Sequence, residues 1–205
     1  MATVFDYLDW RGDLSFETVG VTPADALIFS ALSYIHYDGL VPQGFRNPVP
    51  LDVVADAFAA LPDKAERVLL RQDAPLLMAA AATERYRRVK LIFYNSATIR
   101  EEESQFAAVA FLLPDEKTAV LAFRGTDATL VGWKEDFNMS FQDRIPAQEK
   151  ALYYTQSFAL AFDRDMILCG HSKGGNLAVY AAAKCGELLQ RRIVEVHNQD
   201  GPGFS

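Results

Sequence analysis

The segment Gly170-His171-Ser172-Lys173-Gly174-Gly175 sets a serine between glycines at the spacing G-x-S-x-G. It stands between the apolar run 166–169 and an Ala-rich stretch over 173–184, so it reads as a bend from a strand into a helix. Such a bend lifts a serine hydroxyl above the sheet edge, where it can attack a carbonyl carbon. The residues two before and two after the serine pack too closely for a β-carbon, which accounts for Gly170 and Gly174 as structural support. The Lys173 amide, at the start of the helix, becomes a candidate donor to an oxyanion, aided by the helix dipole. The plainer reading is a Gly-Ser helix cap without chemistry. A phosphate-binding loop fits poorly, because Lys173 precedes its glycines.

Acyl transfer needs a second oxyanion donor from another loop. Ala122-Phe123-Arg124-Gly125-Thr126-Asp127 ends a strand-like run and precedes Trp133-Lys134-Glu135-Asp136, and Thr126 could supply a backbone N–H with a hydroxyl to orient it. An ordinary strand-to-loop turn carrying an arginine ion pair is the competing reading.

The elements that must position these groups follow from periodicity. Over 1–90 the pattern is mainly helical: Thr22-Pro23 caps a helix that stops near Asp38-Gly39, and helical stretches follow over 51–60, after Leu61-Pro62-Asp63, and over 74–82. From Leu91 short apolar and aromatic runs indicate strands at 91–94, 105–113 and 118–123, the last two joined by the turn Pro114-Asp115-Glu116-Lys117. Helices are expected at 131–139, 148–162 and 173–184, and strands at 166–169 and 192–196. Strand, helix, strand in succession implies parallel pairing with right-handed crossovers. The expected fold is α/β: one domain over 1–205, a helical front region at 1–90 that could cover a site (35–90 as a lid), and a mixed, mostly parallel sheet over 91–205.

Composition narrows the functions. The chain has 205 residues, half of them hydrophobic, with 20 Lys plus Arg against 27 Asp plus Glu, a net charge of −7. A field of that sign repels phosphate backbones, so nucleic acid is not an expected partner. The basic cluster Arg85-Tyr86-Arg87-Arg88-Val89-Lys90 reads as a solvated element end. Cys169 and Cys185 lack metal-ligand spacing and read as small buried thiols. No metal or cofactor is called for, no apolar run approaches a membrane span, and a cytoplasmic location is the default expectation.

Together, Phe123-Arg124-Gly125-Thr126, Trp133-x-x-Asp136 and Gly170-His171-Ser172-x-Gly174-Gly175 resemble, in that order, the fungal-type (class 3) lipases with their α/β-hydrolase fold. Phe5-Asp6-Tyr7-Leu8, Trp10-Arg11-Gly12-Asp13, Leu32-Ser33-Tyr34, the Ser-Lys-Gly-Gly-Asn elbow and Asp200-Gly201-Pro202-Gly203-Phe204 are similar to an uncharacterised bacterial branch of lipase-like hydrolases, a domain-of-unknown-function family. The resemblance implies Ser172 as nucleophile, Thr126 and the Lys173 amide as oxyanion donors, and Arg124 with Asp136 as structural support. The implied substrate is a small-molecule or lipid-like carboxylic ester.

A serine nucleophile also needs a base, and the chain has only His36, His171 and His197. His171 abuts the nucleophile and is expected to point away from it; His36 lies in the helical front; His197, near the end of the strand after the nucleophile helix, is the remaining candidate. Asp200, at that strand's end, is the candidate acid, with a turn-forming role as the alternative. The fold places the triad histidine on a late loop, so the chain reads as the front part of a longer hydrolase whose last strands are missing, incomplete or weakly active alone. A non-catalytic binding or scaffold module, and an acyltransferase or peptidase with the same nucleophile, stay open.

Overall fold

The computed structural model describes residues 2–99, 104–126 and 144–204. Two capping boxes start the front region: Thr3 with Asp6 opens α1 (Val4–Arg11), and Thr22 with Asp25 opens α2 (Pro23–Leu32), where Pro23 lies in the first turn. The cap of α2 is the expected one, but the helix closes at Ser33, and α1 was not marked by its weak apolar periodicity. A two-residue strand, β1 (Val49–Pro50), leads into α3 (Leu51–Ala60); a 3-10 turn (Lys64–Arg67) and α4 (Asp73–Ala81) follow.

The sheet continues with β2 (Lys90–Ile99), β3 (Ser104–Leu112), β4 (Thr118–Phe123), β5 (Asp165–His171) and β6 (Ile193–Gln199). Helix α5 (Pro146–Ala161) joins β4 to β5, and α6 (Lys173–Lys184) with the short α7 (Glu187–Gln190) joins β5 to β6. Spatial order equals chain order, β1 to β6. The sheet is mixed, as expected, but not mostly parallel: β1 through β4 pair antiparallel, and only β4–β5 and β5–β6 are parallel. The β3–β4 turn is the expected one, with Asp115 Oδ1 accepting from the Lys117 and Thr118 amides, both at 2.9 Å, and the antiparallel pairs that β1 and β2 add tip the balance. The helix expected at 131–139 lies outside the described residues.

Period-two alternation sorts the strand side chains into two cores. Leu91, Val109, Val120, Ala122, Ile167 and Cys169 pack against α1–α4, while Ile92, Ala110, Leu121, Phe123 and Leu168 pack against α5 and α6. The molecule is therefore layered as front helices, sheet and back helices. A bulge at Phe93 (φ 54°) interrupts β2 between Ile92 and Asn95 and lets Phe93 stack on Tyr154 at 4.3 Å between centroids.

One expectation about the front region is corrected. Arg85, read as part of a solvated element end, is 1% exposed and paired with fully buried Asp25 at 2.6 Å. Its guanidinium also donates to the carbonyls of Leu14, Val19 and Gly20, and Tyr86 Oη donates to Asp25 Oδ1 at 2.6 Å. Burial pushes the Asp25 carboxyl up, but the Arg85 and Tyr86 hydrogen bonds outweigh it and hold the group below its usual range. Arg87 and Arg88 do stay on the surface, bonded to Glu84.

Candidate active site

β5 delivers the chain to Ser172, whose backbone at φ 56° and ψ −130° is the conformation L-residues avoid, and α6 begins at the next residue. A non-glycine residue held there costs about 1–3 kcal/mol and persists only where its surroundings impose it. Here they do. A β-carbon on Gly170 would run into the Gly174 carbonyl, and one on Gly174 into the Phe123 carbonyl, so both glycines permit strand, helix and β4 to meet. The Ser172 amide donates to the Gln199 carbonyl at 2.9 Å, which hangs the bend on the end of β6.

Lys173 contributes its side chain as well as its place at the helix start. The ammonium is buried beneath the bend and donates to the Gln105 carbonyl at 2.9 Å, fastening the elbow to β3. Its amide belongs to the first turn of α6, at the positive end of the helix dipole.

Ser172 is half-buried and opens on a cavity of about 420 Å3. Thr126 stands on the same wall, so the two segments singled out for acyl transfer meet at one hollow. His171 lies beside the serine, and most of the remaining wall comes from the front region: Val4 and Phe5 of α1, Leu27 and Ala31 of α2, Tyr34, and Leu69, Leu70, Gln72 and Leu76 around the start of α4. Asp73 also borders it, its Oδ2 accepting from the Leu69 and Leu70 amides at 3.0 and 2.7 Å. Burial raises its carboxyl pKa against those two hydrogen bonds.

Each of the three histidines engages another side chain, and His171 also lines the cavity. Tyr34 Oη lies 3.0 Å from His171 Nδ1, which fixes that ring against α2's end beside the elbow. Arg124 Nη1 donates to His36 Nε2 at 3.3 Å, and the buried Arg124 Nε has no hydrogen-bond partner among the described residues. His197 Nε2 meets Glu195 Oε2 at 2.7 Å; its strand partner is Cys169, three residues before the serine, and it is not among the residues lining the cavity. Asp200 is exposed at φ 57° in the turn after β6, and the neighbouring Gly201 packs on the Ser172 carbonyl. Asp136 lies outside the described residues, so its pairing with Arg124 does not enter this geometry.

Three residues escaped the sequence reading. Asn176, buried on α6, donates to the carbonyls of Pro202 and Gly203 at 3.1 and 3.3 Å and accepts from Gln148 Nε2 at 2.9 Å, pinning the Asp-Gly-Pro-Gly turn beside the elbow. Gln199, with its amide in the orientation its neighbours require, donates to Gly170 O and Ser30 Oγ and accepts from the Leu27 amide. Tyr34 is the third. The Asn of Ser-Lys-Gly-Gly-Asn was a signal for the first and Leu32-Ser33-Tyr34 for the third, though not for its partner; Gln199 answers to contacts between distant segments and leaves no local pattern.

Cys169 and Cys185 are buried and free, and burial pushes the Cys169 thiol up to about 12. Among the described residues no group of His, Cys, Asp and Glu is arranged to hold a metal, and no helix is long and apolar enough to cross a membrane. No curated protein and no solved structure matches the chain. A family model does, over residues 80–205, which takes in β2 to β6 and both segments that meet at the cavity. The chain belongs to the Mbeg1-like family, a lipase-like family whose function is unassigned.

Proposed function

We propose that the chain is a serine hydrolase of the α/β-hydrolase fold that cleaves carboxylic esters of lipid-like character through an acyl-enzyme on Ser172. One observation carries the reading: Ser172 is held at φ 56° on a strand-to-helix bend and opens, with Thr126, on an apolar cavity. Ser172 Oγ adds to the ester carbonyl as its proton leaves for a base. Negative charge on the carbonyl oxygen is received by the Thr126 and Lys173 amides, and collapse expels the alcohol with a proton. Water then adds to the acyl-enzyme, releases the acid and restores the serine. Asn176 and Gln199 act as positioning residues, holding the turn that carries Asp200 and the strand that feeds the bend.

The test is covalent labelling with a fluorophosphonate together with hydrolysis of p-nitrophenyl esters. Labelling abolished by Ser172→Ala, with turnover lost in parallel, is the expected result; an unlabelled native protein overturns the proposal. A non-catalytic binding module is the second reading, favoured by the engagement of His36, His171 and His197 with Arg124, Tyr34 and Glu195. It predicts ligand uptake by the same cavity without labelling.

A further inference from the structure

The two amides proposed to receive the oxyanion stand beyond the ends of different strands. Thr126 lies three residues past Phe123 and Lys173 three residues past Gly170, and Phe123 with Gly170 is the last pair of the β4–β5 ladder. Past that pair the ladder no longer sets the distance between the two chains, yet an oxyanion is held only by donors about 2.7–3.1 Å from it. Tyr34 stands where the ladder stops. Its Oη lies 3.0 Å from His171 Nδ1 and 3.5 Å from the His171 carbonyl oxygen. A β-carbon on Gly125 would run into that same hydroxyl and that same carbonyl. The residue before Thr126, the Tyr34 hydroxyl and the residue before Ser172 therefore meet at one point.

The hydroxyl is held in place from outside the sheet. Tyr34 follows the end of α2, its amide donating to the Ala31 carbonyl at 3.1 Å. The Gln199 side chain ties α2 to the elbow through Ser30 Oγ, the Leu27 amide and the Gly170 carbonyl. The Tyr34 side chain is buried, whereas His171 is exposed. A buried ring at an anchored helix end does not follow a wandering loop; the loop is set by the ring. Tyr34 also lies outside residues 80–205, so the front region supplies a working part of the site as well as its cover.

We infer that Tyr34 is a positioning residue for the proposed hydrolysis, its hydroxyl acting as a strut that sets Gly125 and Thr126 against the elbow and so fixes the spacing of the two oxyanion donors. The inference rests on the hydrolase reading and adds a residue to it. A donor misplaced by about 1 Å costs up to about a hundredfold in rate. The loss falls on kcat, because the bond to the oxyanion is made in the transition state.

The experiment reads loop order and turnover separately. Tyr34→Phe keeps the ring and leaves His171 Nδ1 to solvent, so the variant folds. In the native protein the backbone 15N order parameters of Gly125 and Thr126 should lie near the rigid value of about 0.85, and in Tyr34→Phe they should fall below about 0.6 while Val120 and Leu121 of β4 stay rigid. With p-nitrophenyl butyrate, kcat should drop roughly ten- to hundredfold at constant KM. His171→Ala removes the other end of the strut and should give the same drop, with the double variant no worse than either single one. Gly125 and Thr126 equally ordered with and without the hydroxyl overturn the inference, as do unchanged turnover, a change confined to KM, or additive losses in the double variant. A loosened loop in a protein whose native form neither labels nor turns over would sink the hydrolase reading and leave the strut standing. Normal labelling and turnover in Tyr34→Phe would do the opposite.

Discussion

At the scale of single residues, the elbow stands on contacts that leave no space for a methyl group. Gly174 faces the carbonyl of Phe123, backbone against backbone, and neither can rotate away. Gly174→Ala should therefore separate α6 from β4, cost roughly 1–3 kcal/mol in a denaturant titration, and abolish fluorophosphonate labelling. The thiols offer a converse check. With its thiol pushed up to about 12 by burial, Cys169 should resist Ellman's reagent at pH 8 in the native protein and react only on unfolding. At this scale the sequence was legible wherever chemistry imposes spacing: Gly170, Ser172, Gly174 and Thr126 meet at one place. It was silent on Gln199 and marked Tyr34 only within Leu32-Ser33-Tyr34, without its partner, because a hydrogen bond between residues 137 positions apart has no periodicity.

At the scale of elements, the front helices are held by the Asp25–Arg85 pair. Asp25 caps α2 and also receives Arg85 and Tyr86, so one carboxylate serves a helix end and a long-range clamp. Arg85→Met leaves a buried, unpaired carboxylate and should destabilise by about 3–5 kcal/mol, measured by urea unfolding at neutral pH. Because the folded state lowers the Asp25 pKa, its contribution is present above the ordinary carboxylate value and is lost as pH falls through the lowered one. In Asp25→Asn that acid-side loss should disappear from the stability profile. Helix α2 could be read from Thr22-Pro23 because capping is local. The burial of Arg85 could not, since the sequence around it looks like any basic surface turn and its partner lies 60 residues earlier. The sheet's parallel share was overrated for a similar reason: β1 is two residues long and has no pattern of its own.

At the scale of the whole molecule, three layers divide the work. The back helices and sheet shape the bend, and the front helices enclose the space above it. β6 is the last strand in the described sheet, with Val194 and Val196 exposed at 53% and 39%. An unblunted edge of this kind recruits further strands, so light scattering should grow with protein concentration, and Val196→Lys should suppress it.

The backbone of Ser172 has a cost that the entire chain carries. Reflected through the origin, φ 56° and ψ −130° fall in the extended region, which makes the conformation comfortable for a residue without handedness. Relief of about 1–3 kcal/mol exceeds the roughly 0.4–1 kcal/mol lost to a looser unfolded chain. Ser172→Gly should accordingly melt above Ser172→Ala, by roughly 2–4 °C for each kcal/mol gained. Durability and the proposed reactivity compete at this position, and a sturdier protein is one substitution away, at the expense of the hydroxyl proposed as nucleophile.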